Sequence, residues 1–485
     1  MTNISWLLEE IESSPAGPHV GAYFDFDGTL IEGYSAMTFF KERLKARDIG
    51  LRELTDTVRE SINIERTGAD VNELIRVVTQ AQAGKAIEDV NKMAASIYSN
   101  KLENLIYPDA RLLIGAHLNM GHTVVIATSA TQPQVTDAAE ALGVTDIICT
   151  EMEVENGLLT GLLAGPVRWG QEKANAVVEH AELNDIDLAE SFTYSNGAED
   201  VPFLEVSGHP RPLNPEEELR EVAEVEGWPC TDLEISKRHD PVTLARSGLA
   251  LATVGFSVAA GFGAALINRD RSVGASLAAS MGSDLALSTA GVRLNILGED
   301  NAWVQRPAVF LFNHQSQLDA FVLGAVLRRD FTGVAKKQLE HDPVMGPVGY
   351  LADIAFVDRS NTKAAVEQLK PVVEALKNGK SIAIAPEGTR SSTQRLLPFK
   401  KGPFHMAMQG EVPVIPIVIR NASSLMPPHT LIVKSGTVDV AVLPPIPTDD
   451  WTHDNMNQKI DEVRNQFLET LRHWPKSEAE LRERF

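Results

Sequence analysis

The first half of the chain alternates short apolar runs with stretches of helical spacing. The runs are "VGAYFDF" (20–26), "HTVVIATS" (122–129), "DIICT" (146–150) and "SFTYSNG" (191–197), with a helix predicted from about Gln134 to Leu142. Runs of this kind separated by helices predict a parallel, doubly wound α/β sheet, with ligands at the carboxyl ends of its strands. Residues 35–105 hold few glycines and no proline and read as mostly helical, an inserted cap of about 32–106.

Around 214–241 the pattern breaks into an acidic helix ("PEEELREVAEVE"), then "GWPC" and "SKRHD", and the domain boundary is placed there. Next comes "SGLALATVGFSVAAGFGAALIN" (247–268), 22 residues without a charge, flanked by Arg246, Arg269 and Arg271. Its length suffices for a bilayer, which needs about 20 apolar residues, but ten of the 22 are Ala or Gly. A softer apolar stretch follows to Ile296, interrupted by Asp284 and Arg293. The pair is read as a membrane-dipping helical hairpin, with a pair of helices packed inside the protein and a true span as the other readings. From 300 onward strands ("AVFLFN", "SIAIAP", "VPVIPIVI") again mix with helices, and a charged amphipathic helix of about 455–472 closes the chain. The expected division is 1–235, a linking helical region 236–299, and 300–485.

A chain of 485 residues is long enough for two or three such domains, and 44% hydrophobic with 23% charged residues is an ordinary globular composition. Cys149 and Cys230 form no metal-ligand spacing or disulfide framework, so a reducing cytoplasm fits. The N-terminus lacks a basic region and is not a signal peptide. The net charge of −22 is uneven: 16 Lys and Arg face 41 Asp and Glu in residues 1–235, against 28 and 25 in the remainder. That balance argues against a nucleic-acid partner and leaves the second half free to face an anionic membrane surface.

Asp25 and Asp27 stand two apart at the end of a strand, so both carboxylates can share one site. One can serve as nucleophile on phosphorus and the other as general acid and base. Ser129, Lys173 and Asp200 follow in order: a hydroxyl and an ammonium for phosphoryl oxygens, and carboxylates for Mg²⁺. With these signals in place, residues 20–213 resemble a haloacid-dehalogenase-superfamily (HAD) phosphatase of the phosphoserine phosphatase-like branch, subclass IB, a Rossmann-like domain with a helical cap. The resemblance implies Asp25 as the phosphorylated nucleophile and Asp27 as acid and base. It implies phosphate contacts from Ser129 and Lys173, and magnesium at Asp25, Asp27, Asn196 and Asp200. Two positions depart from that pattern: Asn196 stands where an acid is usual, and Tyr34 stands where phosphoserine phosphatases carry a Glu. Free phosphoserine is therefore not the expected substrate; a glycerol phosphate or lipid phosphate is.

In "LFNHQSQLDAF" (311–321) a His precedes a helix and an Asp follows five residues later, so the carboxylate can turn back to the imidazole. The Asp fixes the tautomer and stabilises the imidazolium, and the His takes a proton from an alcohol. Arg359 in "FVDR" and Glu387, Gly388, Thr389 and Arg390 in "APEGTR" offer a cradle for a phosphate monoester, with Lys336 and Lys337 as further candidates. The strand "VPVIPIVI" (412–419) is expected to line an acyl groove.

These blocks resemble the glycerolipid acyltransferases, specifically the 1-acylglycerol-3-phosphate acyltransferases, over roughly 300–425, with 247–296 resembling the membrane-contacting helices that precede that fold. The resemblance implies that His314, oriented by Asp319, deprotonates the hydroxyl of a lysophospholipid, which attacks the thioester of acyl-CoA or acyl carrier protein. It implies that Arg359, Glu387 and Arg390 bind the acceptor phosphate and shape the turn, that no metal acts in this half, and that the chain sits at the cytoplasmic face of a membrane. The whole resembles an actinobacterial-type bifunctional fusion of the two enzymes. Three rival readings stand beside it: acylation of glycerol 3-phosphate itself, a phosphatase anchored by a lipid-binding half, and a first domain that only senses a phosphorylated metabolite.

Overall fold

The computed structural model describes residues 4–45, 48–49, 71–233, 241–341, 345–357, 371–391, 393, 395–427 and 430–485. The chain divides into two compact units, Met1–Lys237 and Arg238–Phe485.

The first unit carries β1 (Gly21–Phe24), β2 (Thr123–Thr131), β3 (Asp146–Thr150), β4 (Met152–Glu155), β5 (Leu158–Leu163), β6 (Phe192–Ser195) and β7 (His209–Pro212). Five of them form one sheet in the order β3-β2-β1-β6-β7, every pair parallel. The strand order reverses between β1 and β6, so a crevice opens at their carboxyl ends, and Asp25 is the first residue beyond β1. All four residues of β1 and of β6 are buried, as strands covered by helices on both faces must be. β7, "HPRP", escapes a sequence reading because two prolines remove ladder donors; it lies at the sheet edge, where proline is tolerated. β4 and β5 form a separate antiparallel hairpin whose turn residues Asn156 and Gly157 both have positive φ, a conformation the Asn-Gly pair favours. The described parts of the cap are helical, at Ser35–Lys45, Val71–Gln80 and Ile87–Asn100.

The second unit is built on β8 (Val292–Leu297), β9 (Val309–Phe312), β10 (Phe331–Lys336), β11 (Ala355–Val357), β12 (Ser381–Ile384), β13 (Val414–Arg420) and β14 (Gly436–Val442). Their order is β11-β10-β12-β9-β13-β14-β8, parallel except for the antiparallel pair β13–β14. β9 is central, and His314 follows its carboxyl end. β13 is buried from Val414 to Ile419, so the apolar strand expected to line a groove is instead part of the core. The closing helix is Met456–Arg472, with Ile460, Val463, Phe467 and Leu471 on its buried face.

Two helices, Pro241–Asn268 and Arg271–Ala290, precede the sheet and pack on one another. Small residues make their contact: a Cβ on Gly261 would lie 2.7 Å from the Gly274 carbonyl oxygen. The larger apolar residues face outward, with Phe256, Leu266 and Ile267 exposed by 64%, 81% and 82%. Pro241–Asn268 is long and apolar enough to cross a membrane, with a mean hydropathy of 1.9 over 18 residues of which only 22% are buried. A pair of helices hidden inside the protein does not describe that exposure.

Candidate active sites

In the first unit the chain leaves β1 as Asp25-Phe26-Asp27-Gly28-Thr29 and turns back at once. Asp25 N–H donates to the Tyr194 carbonyl at 2.8 Å, one step past the β1–β6 ladder, which fixes the Asp25 backbone at the carboxyl end of the central strand. Gly28 has φ +77, and a Cβ there would fall 2.3 Å from Asn196 Nδ2, so the turn tolerates only glycine beside that amide.

Lys173, in the first turn of helix Gln171–Leu183, buries its ammonium between two carboxylates, 2.8 Å from Asp25 Oδ1 and 2.6 Å from Asp200 Oδ2. Burial pulls the Lys173 pKa down, but Asp200 and Asp25 outweigh it and hold the group charged. Burial pushes Asp25 up to about 6, with Lys173 opposing. Asp27 accepts Ser35 N–H at 2.6 Å and the Ser35 hydroxyl at 3.0 Å, and burial raises its pKa to about 7, a range suited to a group that gives and takes a proton near neutrality. The Thr29 hydroxyl lies 3.2 Å from Asp25 Oδ2 and 3.1 Å from Asn196 Oδ1. Ser129 is three residues beyond Ile126, the β2 residue registered against Phe24, just as Asp27 is three beyond Phe24.

Among the described residues, no three His, Cys, Asp or Glu side chains converge on one point as a ready metal cage. The oxygens present still fit a magnesium ion, which keeps several waters and takes one or two carboxylates from a protein. Asp200 Oδ2 accepts Lys173 and the Ser195 hydroxyl, whereas Oδ1 is buried without a hydrogen-bond partner, an acceptor left open. Asn196, nearly buried, adds an amide oxygen.

Two contributors lie where the sequence suggested only a domain boundary. Asn214 donates to the Gly28 carbonyl at 3.3 Å, and Glu216 N–H donates to the Asn196 carbonyl at 2.9 Å. The Glu216 carboxylate accepts the Tyr34 hydroxyl at 3.1 Å, so a carboxylate from far along the chain reaches Tyr34, the position at which the sequence lacks one. No local sequence signal marks this pairing.

In the second unit β9 ends at Phe312, and the next residue continues its pairing by other means. The Asn313 side chain donates to the Ile419 carbonyl at 2.8 Å and accepts Ile419 N–H at 2.7 Å, so the amide stands in for one more rung of the β9–β13 ladder while the main chain turns away. His314 then projects at the mouth of the turn. Its Nδ1 lies 2.8 Å from Asp319 Oδ2, and Asp319 is fully buried at the start of helix Asp319–Leu327. The same Oδ2 accepts the backbone N–H groups of Gln315 and Ser316 at 2.8 and 2.9 Å. Asp319 Oδ1 is buried without a partner, an energetic cost of about 1–3 kcal/mol that the dyad carries. With Nδ1–H committed to Asp319, Nε2 is the free base nitrogen.

The Pro386–Ser391 loop grips His314 from the other side. Glu387 Oε1 accepts His314 N–H at 2.8 Å, and Ser391 N–H donates to the His314 carbonyl at 2.9 Å. Glu387 Oε2 accepts Leu397 N–H at 2.8 Å, and burial raises the Glu387 pKa to about 7 against those two hydrogen bonds. Both Glu387 oxygens are taken up by backbone N–H groups, so the side chain shapes the turn, one of the two roles expected of it. Gly388 has φ +76, Thr389 is exposed and Arg390 is half-buried, so the loop presents them beside His314. Lys400, which the sequence did not single out, donates its N–H to the Pro386 carbonyl at 2.7 Å and lays its side chain within 4.0 Å of the Gly388 Cβ position. Lys336 and Lys337 are exposed at the carboxyl end of β10, and Arg359 lies outside the described residues.

Fold and sites define a chain of two α/β units, one with clustered buried carboxylates about an ammonium and one with a His–Asp dyad held by a Gly-Thr-Arg turn. Comparison with known proteins agrees. Residues 22–205 match the haloacid dehalogenase-like hydrolases and residues 293–420 match the acyltransferases. A 1-acyl-sn-glycerol-3-phosphate acyltransferase of Saccharomyces cerevisiae is 38% identical over 185 residues, 38% of this chain and 61% of that protein. An uncharacterized acyltransferase of Schizosaccharomyces pombe is 35% identical over 190 residues, 39% of this chain and 68% of that protein. A solved 1-acyl-sn-glycerophosphate acyltransferase from Thermotoga maritima aligns with a TM-score of 0.41 at 23% identity, covering 48% of this chain and 95% of that one. The chain thus spans less than two thirds of the Saccharomyces cerevisiae relative. It belongs to the acyltransferase family and carries a haloacid dehalogenase-like hydrolase domain ahead of the acyltransferase domain.

Proposed function

We propose that the second unit transfers a fatty acyl group from acyl-CoA or acyl carrier protein to the free hydroxyl of 1-acylglycerol 3-phosphate, giving phosphatidic acid. The observation that carries this is the His314–Asp319 pair at 2.8 Å with both backbone groups of His314 held by the Glu387–Ser391 loop. That link ties the base to the anion-binding loop, so a phosphate held there presents its neighbouring hydroxyl to Nε2. His314 takes the hydroxyl proton, the alkoxide attacks the thioester carbonyl, and the thiol leaves with the proton returned from the imidazolium. Thr389, Arg390, the Gly388 turn and Arg359 are the proposed phosphate contacts, with Lys400 close to the turn. The exposed apolar face of Pro241–Asn268 would dip into the cytoplasmic face of a membrane, where the lysolipid acceptor resides.

The first unit is proposed as a Mg²⁺-dependent phosphatase. Asp25 attacks phosphorus, Asp27 protonates the leaving alcohol and then activates water, and Lys173 and Ser129 hold phosphoryl oxygens. Magnesium, when bound at Asp25, the Asp27 carbonyl, Asn196 and Asp200, would neutralise phosphoryl charge.

The test uses purified protein in vesicles with an acyl-CoA and glycerol 3-phosphate, 1-acylglycerol 3-phosphate or monoacylglycerol. Thiol release and lipid masses are followed, with His314→Ala alongside. Phosphatidic acid from the lysolipid, lost in His314→Ala, is the expected result; no transfer to any acceptor refutes the reading. Phosphate release that survives Asp25→Asn refutes the phosphatase assignment.

A further inference from the structure

The second site has a cation whose place is fixed and whose charge is not met within the protein. Lys400 ends the segment Leu397–Lys400, which is tied to the Pro386–Ser391 loop at two points. Leu397 N–H donates to Glu387 Oε2 at 2.8 Å, and Lys400 N–H donates to the Pro386 carbonyl at 2.7 Å. Between them Phe399 packs into the core, its ring 5.3 Å from that of Phe467 and 6.2 Å from that of Phe404. Lys400 itself is exposed, and its stem lies along the Gly388 turn, with Cγ 3.6 Å and Cε 4.0 Å from the position a Cβ would take there. The ammonium, one bond beyond Cε, is thus carried at the turn whose loop also holds both backbone groups of His314.

The charges around it are uneven. Glu387 is the one acid in Pro386–Ser391, and it is 3% exposed with both oxygens taken by backbone N–H groups. Lys400 makes no ion pair among the described residues, whereas Lys380 and Lys459 of the same unit are met by Asp353 and Asp450. Arg390 and Lys400 therefore bring two positive charges to the turn, and no carboxylate of the loop meets them. A phosphomonoester carries nearly two negative charges at neutral pH, its second pKa being about 6. Two cations at one turn match that charge, the lysine as a point charge and the arginine as a fork.

We propose that Lys400 is a binding residue for the acceptor's phosphate and that its charge sets the affinity of the second site for a phosphomonoester headgroup. This inference rests on the acyl-transfer reading of the second unit.

The experiment follows thiol release by the full chain at saturating acyl-CoA with varied 1-acylglycerol 3-phosphate in uncharged detergent micelles. Every chain also carries Asp25→Asn, so that the first unit leaves the acceptor's phosphate in place. Lys400→Met keeps an apolar stem on the turn and removes the charge; KM is expected to rise at least ~10-fold with kcat within ~3-fold, the loss of one contact to a charged group. Lys400→Arg is expected to bring KM back to within ~3-fold, and Lys401→Met, the same change of charge one residue on, to move it less than ~2-fold. Thermal melts identify any variant that fails to fold, and the arginine variant keeps the test decisive. An unchanged KM in Lys400→Met, a fall in kcat alone, no recovery in Lys400→Arg, or an equal rise in Lys401→Met overturns the proposal. Transfer that depends on His314 while KM is indifferent to Lys400 leaves the acyl-transfer reading standing without this inference. No transfer to any acceptor fells that reading and this inference with it.

Discussion

Asn313→Ala is the sharpest test of how the acyl-transfer dyad is held. The substitution strands two backbone groups of Ile419, a fully buried residue, without hydrogen-bond partners. Each stranded group costs about 1–3 kcal/mol, so the second unit should lose about 2–6 kcal/mol. For a unit of this size that lowers its melting temperature by on the order of 10 °C. The kinetic effect has a different origin. Asn313 is bonded directly to His314, and releasing it frees the turn on which the imidazole stands. A misplacement of about 1 Å can reduce turnover on the order of 10²-fold. Acceptor affinity should change little, because the Gly388–Arg390 loop hangs on β12 rather than on β13. The assay is thiol release at saturating acyl-CoA with varied lysolipid, at a temperature well below the variant's melt. The Ile419 amide is followed by hydrogen exchange. A fall in kcat with KM held within ~3-fold, and faster exchange at Ile419 alone, is expected. Turnover within twofold of the unaltered chain, or a melt within 2 °C, would refute the account of the amide as a ladder rung.

Three further outcomes follow from the same geometry. A Cβ on Gly324 would lie 2.1 Å from Ser283 Oγ and 3.0 Å from the Ala279 carbonyl oxygen, so Gly324→Ala should cost about 1–3 kcal/mol and slow acyl transfer by displacing the helix that begins at Asp319; Ala substitution at Ser283 in the same chain should relieve part of it, read by calorimetry and thiol release. Glu387 has its folded pKa raised to about 7, above its unfolded value, so its contribution is full at pH below that unfolded value and is lost as pH rises through about 7; the second unit should melt lower at pH 8 than at pH 6, and Glu387→Gln should shrink the difference. Lys173→Met leaves Asp25 and Asp200 buried without their shared cation and should destabilise the first unit by about 3–5 kcal/mol, seen as an earlier unfolding transition in scanning calorimetry.

The elements that read well from sequence are those whose pattern is local. β1, β6, β9, β12 and β13 are apolar runs buried almost throughout, β2 and the edge strand β3 are apolar runs buried in part, and the acidic helix and the closing amphipathic helix sit within a few residues of their expected places. Elements defined by their partners did not read. β7 carries two prolines and is a strand only because β6 lies beside it, and the Asn-Gly signal of the β4–β5 hairpin was there to be used. The sites divide the same way. His314–Asp319 was legible because five residues of chain bring them together. Asn313 draws no notice within "LFNHQSQLDAF", since its partner Ile419 is 106 residues away. Glu216 and Lys400 are placed by tertiary structure alone.

The two units solve one physical problem by opposite means, and the contrast separates their chemistry. A buried carboxylate is costly unless its charge is met. In the second unit backbone N–H groups largely meet it: Gln315 and Ser316 on Asp319, and His314 and Leu397 on Glu387. Those donors are fixed dipoles that cannot leave, so the two side chains become rigid supports that hold His314 in place. In the first unit a single ammonium meets two carboxylates, and Asp200 Oδ1 is left over. Such a site is incomplete by itself and changes its charge balance when a cation or a phosphoryl group arrives, which a nucleophile requires of its surroundings and a base in a proton relay does not. Removing Lys173 and removing Glu387 should therefore differ in kind. Magnesium should recover part of the stability lost in Lys173→Met, since a second cation can take the ammonium's place between Asp25 and Asp200. No added ion should recover Glu387→Gln, because what it loses is the orientation of two backbone amides. Melting both variants with and without about 1 mM Mg²⁺, the order of the weakest divalent-cation sites, reads the distinction directly, and equal rescue of both would defeat it.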